Sequence, residues 1–365
     1  MIKKNKILIA TGGTGGHVFP AYSLANYLTK NNYNVKLITD NRGFNYLKDY
    51  KSLNITKISS SPLIKKNPLT FLFSITIILL SVFKSIFFLL FNRPSIIFGM
   101  GGYSSFPVCI AATILRIKFV IYENNLIIGR ANKFLLPFAK KIFVSYKCLE
   151  GISANYTNKV LEIGNIIREE IINLQIKNSE NNLFDEIKIL VLGGSQAAKT
   201  FAEKLPKIFE KLKTSEIPIK IYQQCQKEQT NDLAEFYKKV KIECKIFNFT
   251  NKIIDYYSKA NLVITRSGAS VLGELVNINI PFISVPLPTS ADNHQFKNAV
   301  YYEKKGFGYL VNENEINDQL YGLIKSIFKN KSLIKNILTN QSQYSDKKIF
   351  ININIQIQKI IDEKN

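Results

Sequence analysis

Short apolar runs alternate with helix-length amphipathic stretches along the chain, and this alternation constrains the fold more than any other feature. Such an alternation is typical of parallel sheets, whose strands are joined by crossover helices. The candidate strands of a first sheet are Ile7–Ala10, Val35–Thr39, Ile96–Phe98, Phe119–Tyr122, Ile142–Ser145 and Val160–Ile163. Those of a second sheet are Ile189–Leu192, Ile219–Tyr222, Cys244–Phe247, Leu262–Thr265 and Phe282–Val285. The sequence therefore predicts an α/β protein with two parallel sheets.

The chain length and a weakly repeated sequence pattern predict two domains of similar fold. At about 150 residues per domain, the 365 residues suffice for two, each with its own core. Lys6–Gly13 and Lys188–Ser195 each contain an apolar run followed by paired glycines, as at the start of a dinucleotide-binding fold. The stretch 166–186 is polar and is a predicted linker. Two such domains, 1–165 and 187–340, would face each other across a cleft at the carboxyl ends of their strands.

The distribution of charge bears on the choice of partner. The formal net charge is +22, of which residues 1–165 carry +16 and residues 166–365 carry +6. The first half is therefore expected to meet an anionic surface. The charge also raises the alternative of a polyanion- or nucleic-acid-binding protein, but the chain shows no recognisable nucleic-acid module, and we expect no nucleic-acid partner.

Cysteine and histidine usage argues against a disulfide scaffold and a metal site. The four cysteines form no Cys-x-x-Cys pair, and the two histidines, His17 and His294, are too few for a multi-histidine site. The sequence also contains no Asp-x-Asp, the carboxylate pair with which many sugar transferases hold a cation on a nucleotide diphosphate. We therefore predict no metal cofactor, and expect backbone amides and arginine to neutralise any diphosphate.

The segment 69–91 breaks the alternating pattern. It contains 17 Leu, Ile, Val or Phe residues in 23 positions and one charge, Lys84. Three interpretations compete: a buried core helix, a transmembrane span, and a hydrophobic helix that dips into one leaflet. The third is favoured because Lys65, Lys66 and Arg93 flank the segment and could pair with anionic lipid. The transmembrane span is disfavoured because strands on both sides must join one sheet.

Three glycine-rich turns follow predicted strands and are candidates for diphosphate binding. They occupy residues 12–16, 99–107 and 193–196. Paired glycines let the backbone turn its N–H groups toward an anion, and the next helix adds its positive end. Any one of them alone could be a tight turn without a ligand, but the set favours more than one diphosphate. The first is neither a nicotinamide-type Gly-x-Gly-x-x-Gly nor a Walker loop.

Two further loops carry polar groups suited to a sugar nucleotide. Thr265–Glu274 is a predicted strand end, loop and helix start, whose free N–H groups can accept phosphate. Glu274 suits a bidentate hydrogen bond to vicinal sugar hydroxyls, the alternative being a surface carboxylate that stabilises the helix dipole. Pro286–Gln295 could recognise sugar hydroxyls through its amides and imidazole, or be a plain polar loop.

Seven motifs in order resemble the MurG family of bacterial peptidoglycan glycosyltransferases, within glycosyltransferase family 28. They are TGGTGGHVFPA, GMGGYSSFP, the YENN–GRANK stretch, GNIIR, LGGSQAAK, TRSGASVLGE and DNHQFKNA. The resemblance implies a GT-B fold, two Rossmann-like domains with parallel sheets facing across a cleft. It also implies that the N-terminal domain binds acceptor and membrane, that the C-terminal domain binds UDP-GlcNAc, and that a helix within 341–365 returns to the first domain.

The activity implied by the resemblance is inverting, metal-independent transfer of GlcNAc from UDP-GlcNAc to the MurNAc 4-hydroxyl of lipid I, giving lipid II. Such enzymes are peripheral proteins on the cytoplasmic face of the inner membrane, in contact with anionic phospholipid and compatible with a cell-wall synthesis complex. The closest alternative is another GT-B transferase of the membrane surface, for example one that glycosylates diacylglycerol.

The resemblance also assigns residues to roles. The expected UDP-GlcNAc-binding residues are Thr14, Gly15, Gly16, Asn125, Arg168, Ser195, Phe249, Thr250, Ala269, Ser270, Val271, Leu272, Gly273, Glu274, His294 and Gln295. The loops expected at the acceptor pyrophosphate contain Gly12, Gly13, Gly101, Gly102, Tyr103 and Ser104.

The acceptor hydroxyl needs a general base. His17 beside the first glycine turn is the first candidate and Glu123 the second, with a structural hydrogen bond as the alternative role of His17. Two departures from the family pattern stand out: Tyr122 occupies a position that is often histidine, and Ile166 occupies one that is usually proline. Isoleucine in place of proline at position 166 is expected to loosen the turn before Arg168.

Overall fold

The computed structural model describes residues 5–48, 50, 53–60, 67–174, 185–250 and 252–363, without the side chains of 195–198. The chain divides into two units, one formed by Met1–Glu169 with Asp346–Asn365 and the other by Glu170–Ser345. Each unit is built around one sheet.

Seven strands, all paired in parallel, form the sheet of the first unit. They are β1 (Lys6–Ala10), β2 (Asn34–Thr39), β3 (Asn54–Lys57), β4 (Ile96–Gly99), β5 (Phe119–Glu123), β6 (Ile142–Val144) and β7 (Val160–Glu162). Their order is β3-β2-β1-β4-β5-β6-β7, with Ile9 of β1 opposite Leu37 on one side and Phe98 on the other. The six predicted strands are confirmed. The edge strand β3 was not predicted, because its residues are polar or only half-buried.

Six parallel strands form the sheet of the second unit. They are β8 (Ile187–Leu192), β9 (Ile219–Gln224), β10 (Glu243–Phe247), β11 (Leu262–Thr265), β12 (Phe282–Ser284) and β13 (Tyr309–Leu310). Their order is β10-β9-β8-β11-β12-β13. In both sheets the first strand is an inner strand, and the strand order along the chain reverses beside it. This reversal creates a switch point at the carboxyl end of that strand.

The helices cover both sheets. In chain order they are α1 (Gly15–Lys30), α2 (Asn41–Leu47), α3 (Pro68–Phe91), α4 (Gly102–Ile114), α5 (Arg130–Leu135), α6 (Glu169–Ile172), α7 (Gly194–Thr214), α8 (Thr230–Lys239), α9 (Ile253–Tyr257), α10 (Ala269–Asn277), α11 (His294–Lys304), α12 (Ile316–Lys329), α13 (Lys331–Ser342) and α14 (Ile349–Asp362). Short 3₁₀ turns span Ala154–Lys159, Lys227–Gln229, Ala291–Asn293 and Glu313–Glu315.

Each sheet is buried on both faces, which explains why its strands are apolar without strict alternation. In the first unit, Leu8, Ile97 and Ile121 pack with Val108 and Ala112 of α4. In the second unit the equivalent cluster joins the strands to apolar residues of α7 and α12, such as Phe209 and Leu320. The predicted α/β class with two parallel sheets is confirmed.

The last helix, α14, belongs to the first unit. Its buried residues are Ile349, Phe350, Ile353, Ile357 and Ile360. The ring of Phe350 stacks on that of Tyr27 in α1, with 5.0 Å between ring centres. The hydroxyl of Tyr33 donates to Asn354 at 2.8 Å. The chain therefore closes the first unit after building the second.

Helix α3 turns many of its apolar side chains outward. Asn67 and Thr70 form a capping box at its start. Only four of its 24 residues are buried, and three of these are serines, namely Ser74, Ser81 and Ser85. Each serine donates to the carbonyl four residues earlier, so its hydroxyl is satisfied within the helix. The buried-core interpretation of this segment is therefore wrong.

The exposed face of α3 is large and apolar. Phe73, Phe83, Phe87 and Phe91 are each about two-thirds or more exposed, at 66–72%. The helix is long and apolar enough to cross a membrane by length and composition. An exposed apolar surface of this extent marks an interaction site with a membrane or another apolar partner.

Candidate active site

A buried carboxylate, Asp40, organises the first glycine turn. It follows β2 and caps α2, accepting from the backbone N–H of Gly43 at 2.7 Å and of Gly13 at 3.1 Å. Its second oxygen accepts from the hydroxyl of Ser104 at 3.0 Å. Gly12 is required here, because a Cβ at this position would lie 2.4 Å from Oγ of Ser104. The Gly13 amide and the Ser104 hydroxyl, expected at the acceptor pyrophosphate, are thus engaged by Asp40.

The first and second glycine turns interlock. A Cβ built on Gly101 would lie 3.4 Å from Cε1 of His17, and one on Gly102 would lie 3.6 Å from Cδ2 of the same ring. In return, a Cβ on Gly13 would lie 3.6 Å from the ring of Tyr103. All three glycines have positive φ, at 81°, 82° and 74° in chain order. The imidazole of His17 therefore rests on the second turn, at the carboxyl ends of β1 and β4.

The start of α1 carries the three donor-binding positions predicted in this turn. Thr14 is the exposed N-cap residue, and its side chain does not cap the helix. Gly15 and Gly16 form the first two positions of the helix. The side-chain amide of Asn124 reaches the carbonyl oxygen of Gly16 at 3.5 Å, which links this turn to the carboxyl end of β5.

Glu123 is buried and receives four hydrogen bonds. Its Oε1 accepts from the backbone N–H and the side-chain amide of Asn125, at 3.1 and 3.0 Å. Its Oε2 accepts from Gly129 N–H at 2.9 Å and from the Asn132 amide at 3.0 Å. The carboxylate thus folds the loop 124–132 around itself. Since a Cβ on Gly101 would lie 3.5 Å from the Asn132 amide, this loop adjoins the turn that carries His17.

Arg168 lies close to α1. Its guanidinium carbon is 5.4 Å from the centre of the Phe19 ring, within the range of a cation–π contact. The next residue, Glu169, pairs with Lys30 at 2.7 Å. The arginine is therefore near α1, the helix that begins at Thr14–Gly16.

In the second unit the third glycine turn leads into α7. Gly194 has a φ of 61°, and its N–H donates to the side chain of Gln224 at 3.2 Å. Ser195 lies in the first turn of α7, and its side chain is outside the described atoms. Phe249 and Thr250 follow β10 at the same edge of the sheet, and Phe249 is 57% exposed.

The start of α10 matches the predicted loop and helix start. Open space surrounds Gly268, the N-cap residue, since a Cβ there would meet nothing within 4 Å. The hydroxyl of Ser267 is buried and finds no hydrogen-bond partner among the described residues. Glu274 is only 6% exposed, and its carboxylate accepts from the hydroxyl of Tyr257 at 3.0 Å. The expected site residues Ala269–Gly273 form the first turns of α10, between Gly268 and Glu274.

A buried arginine that the sequence analysis gave no role supports this loop. Arg266 donates to the carbonyl oxygens of Val285 and Pro286, both at 3.2 Å, and pairs with Glu313. Its guanidinium lies 4.7 Å from the ring of Phe201. Burial lowers the pKa of Arg266 while Glu313 opposes that change. The side chain therefore joins the strand ends that precede two predicted donor loops.

The loop 286–295 is fixed by its own polar groups. Gln295 accepts from the backbone N–H of Leu287 at 2.9 Å. Nδ1 of His294 lies 2.8 Å from the carbonyl oxygen of Ala291, so this nitrogen carries the proton. Both side chains are half-buried at the start of α11.

The structure thus gathers the predicted residues of each unit at the carboxyl end of its own sheet. Asp40 and Arg266 were missed, although each directly follows a strand, which was the available signal. Within the described ranges, no three His, Cys, Asp or Glu side chains are grouped so that they could hold a metal ion.

Family models and named relatives assign this chain to the same family. The model described as glycosyltransferase family 28 N-terminal domain matches residues 7–144, and the corresponding C-terminal domain model matches residues 188–353. A protein of Pelagibacter ubique, named UDP-N-acetylglucosamine--N-acetylmuramyl-(pentapeptide) pyrophosphoryl-undecaprenol N-acetylglucosamine transferase, is 36% identical over 98% of this chain and 99% of its own. A Rickettsia felis protein of the same name is 35% identical over 92% of this chain and 94% of its own.

A solved structure supports the fold. The crystal structure of Acinetobacter baumannii MurG superposes with a TM-score of 0.77 at 24% identity, covering 98% of this chain and all of that one. The GT-B class predicted from the motifs is therefore confirmed. The chain belongs to glycosyltransferase family 28 and, within it, to the MurG family of N-acetylglucosamine transferases.

Proposed function

We propose that this protein transfers GlcNAc from UDP-GlcNAc to the MurNAc 4-hydroxyl of lipid I, releasing UDP and giving lipid II. The observation that carries the proposal is its identity, across nearly its full length, with relatives named for this transfer. The glycine turns and the α10 loop, which retain the family's sequence motifs, support it from the site itself.

His17 is the proposed general base. In the reaction, the acceptor oxygen bonds to the anomeric carbon of GlcNAc while the bond to the UDP oxygen breaks, with inversion. The acceptor hydroxyl loses its proton to the base, and imidazole is the side chain whose charge changes most readily near neutral pH. The ring of His17 is held by the turn of Gly101 and Gly102.

Glu123, the second candidate base, is better suited to positioning. As a base it would have to exchange one of four hydrogen bonds for the substrate proton. Those bonds instead shape the loop that presents Asn125, a proposed donor-binding residue. Such a buried carboxylate fixes geometry through charge-assisted hydrogen bonds.

The donor diphosphate is the proposed ligand of the α10 start, Ser195 and Arg168. The N-terminus of a helix attracts phosphate, and Ser267 offers a buried hydroxyl at that place. We assign the uracil to Phe249 and Thr250, the ribose to Glu274, and the GlcNAc to His294 and Gln295. Glu274 would exchange its contact with Tyr257 for the ribose hydroxyls.

We propose that the reaction needs no metal cofactor. The argument is the missing Asp-x-Asp sequence together with amide, hydroxyl and arginine groups that can offset the leaving diphosphate. We further propose a peripheral location on the cytoplasmic face of the inner membrane. The exposed apolar face of α3, with Ile114, Phe134 and Phe138 exposed in the same unit, supports contact with lipid.

The test is transfer of labelled GlcNAc from UDP-GlcNAc by the purified protein. We expect labelled lipid II from lipid I, at the same rate in excess EDTA, and no product from diacylglycerol. If product formed from diacylglycerol and not from lipid I, the acceptor would be diacylglycerol and the assignment of lipid I would be wrong. Loss of activity in EDTA, restored by added Mg²⁺, would overturn the metal-free assignment while leaving the transfer itself in place.

A further inference from the structure

The hydroxyl of Tyr122 is the centre of a buried hydrogen-bond cluster at the end of β5. It accepts from the backbone N–H of Ile166 at 2.9 Å and donates to the carbonyl oxygen of Gly164 at 3.3 Å. Oγ of Ser145 lies 2.9 Å away. One pattern satisfies every group: Ile166 and Ser145 donate, and Tyr122 donates onward to Gly164. Tyr122 is 3% exposed, so the cluster is shielded from bulk solvent.

The turn that follows β7 is anchored to the first unit through this cluster. The backbone N–H of Asn165 donates to the buried carboxylate of Asp346 at 3.1 Å. The side chains of Ile166 and Ile167 are each 1% exposed. Arg168 is the next residue along the chain, so its backbone directly follows this fixed segment.

Two departures from the family pattern meet in one hydrogen bond of this turn. A proline at position 166 would have no N–H, whereas Ile166 has one that is buried and needs an acceptor. The hydroxyl of Tyr122 is that acceptor. The bond also restrains the backbone where a proline ring would otherwise fix φ. The loosening expected from the sequence is therefore offset by Tyr122.

We propose that Tyr122 is a positioning residue for the transfer reaction and acts on Arg168 through the turn 164–166. The proposal rests on the proposed role of Arg168 at the donor diphosphate. The side chain of Tyr122 itself does not enter the chemistry, because its hydroxyl is fully engaged by Ser145, Gly164 and Ile166. Tyr122 fixes the position of the backbone from which the side chain of Arg168 extends.

The test compares Tyr122→Phe with Ser145→Ala. Tyr122→Phe leaves the Ile166 N–H without a partner, and we expect a rise of about 5- to 30-fold in KM for UDP-GlcNAc, with kcat for lipid I changed less than about threefold. Ser145→Ala removes a neighbouring hydrogen bond but leaves the Ile166 N–H paired. We expect it to lower the melting temperature without changing that KM more than about twofold. Equal KM values in the two variants would overturn the proposal.

A second comparison keeps the proposal testable if Tyr122→Phe is simply unstable. Adding Ile166→Pro to Tyr122→Phe removes the orphaned N–H and restores a fixed φ, so KM should return to within about threefold of the wild type. In an Arg168→Ala background, Tyr122→Phe should add less than about a twofold change, since both act through one group.

These outcomes separate the two proposals. An unaltered KM in Arg168→Ala, with lipid II still formed, would refute the arginine assignment and with it the route from Tyr122. Additive effects of Tyr122→Phe and Arg168→Ala would refute only the route. Absence of any transfer to lipid I by the wild type would refute the proposed function, whereas UDP affinity, measured by calorimetry, would still report on Tyr122.

Discussion

His17 is held by contacts of its ring with two glycines, and this close approach limits what can replace it. Gly101 and Gly102 leave room for the imidazole, whose edge lies where their Cβ atoms would point. If His17 is the base, His17→Ala should lower kcat by roughly 10²–10⁴-fold with the affinity for UDP-GlcNAc unchanged. Steady-state kinetics and calorimetry measure the two quantities. A loss below tenfold would assign the ring a structural role.

Asp40 holds the first glycine turn, the start of α2 and the start of α4 together. Asp40→Ala should lower the free energy of unfolding by about 2–4 kcal/mol, because the N–H groups of Gly13 and Gly43 and the Ser104 hydroxyl lose a buried acceptor. We also expect KM for lipid I to rise more than KM for UDP-GlcNAc. Urea denaturation and steady-state kinetics check both. Ser60→Ala, which removes only a hydroxyl that donates to Ser104, is the control and should change neither strongly.

Glu313 balances a buried guanidinium in the second unit. Glu313→Gln keeps the shape of the side chain but leaves the charge of Arg266 uncompensated beside Phe201. We expect a loss of about 1–3 kcal/mol in unfolding free energy and a rise in KM for UDP-GlcNAc, because Arg266 holds the carbonyls of Val285 and Pro286. Glu315→Gln is the matched control in the same short turn. Equal effects of the two substitutions would contradict this role.

Helix α3 shows how an element can invert the usual pattern. Its buried serines face the protein, whereas Phe83, Phe87 and Phe91 face outward. Phe83→Glu with Phe87→Glu should reduce binding to vesicles of phosphatidylglycerol by at least about 100-fold, since each buried Phe contributes about 1.5–3 kcal/mol. Vesicle flotation measures this. Ile355→Glu on α14, at an exposed apolar position, is the control, and equal losses would remove α3 from lipid contact.

The elements were largely predictable because short runs of Ile, Leu and Val between helix-length stretches have one common solution, a parallel sheet. The exceptions have physical reasons. β13 has two residues, too few to register as a run, and β3 is a half-buried edge. Motif order also located the glycine turns. It could not show that Asp40 engages Gly13, because that contact joins positions 27 apart and exists only once β2 lies beside β1.

At the scale of the whole chain, the first unit is complete only after the last helix is in place. The buried face of α14 includes Ile353 at 0% exposure, whereas Ile351, two residues away, is 51% exposed. Ile353→Ala should therefore lower the stability of the first unit by about 2–4 kcal/mol, and Ile351→Ala should change it by less than about 0.5 kcal/mol. Hydrogen exchange read peptide by peptide tests this, because faster exchange should appear in α1 and β1 while α7 and β8 keep their protection. Equal acceleration of both sheets by Ile353→Ala would mean that the two units unfold as one, and that α14 stabilises the whole chain instead of the unit on which it packs.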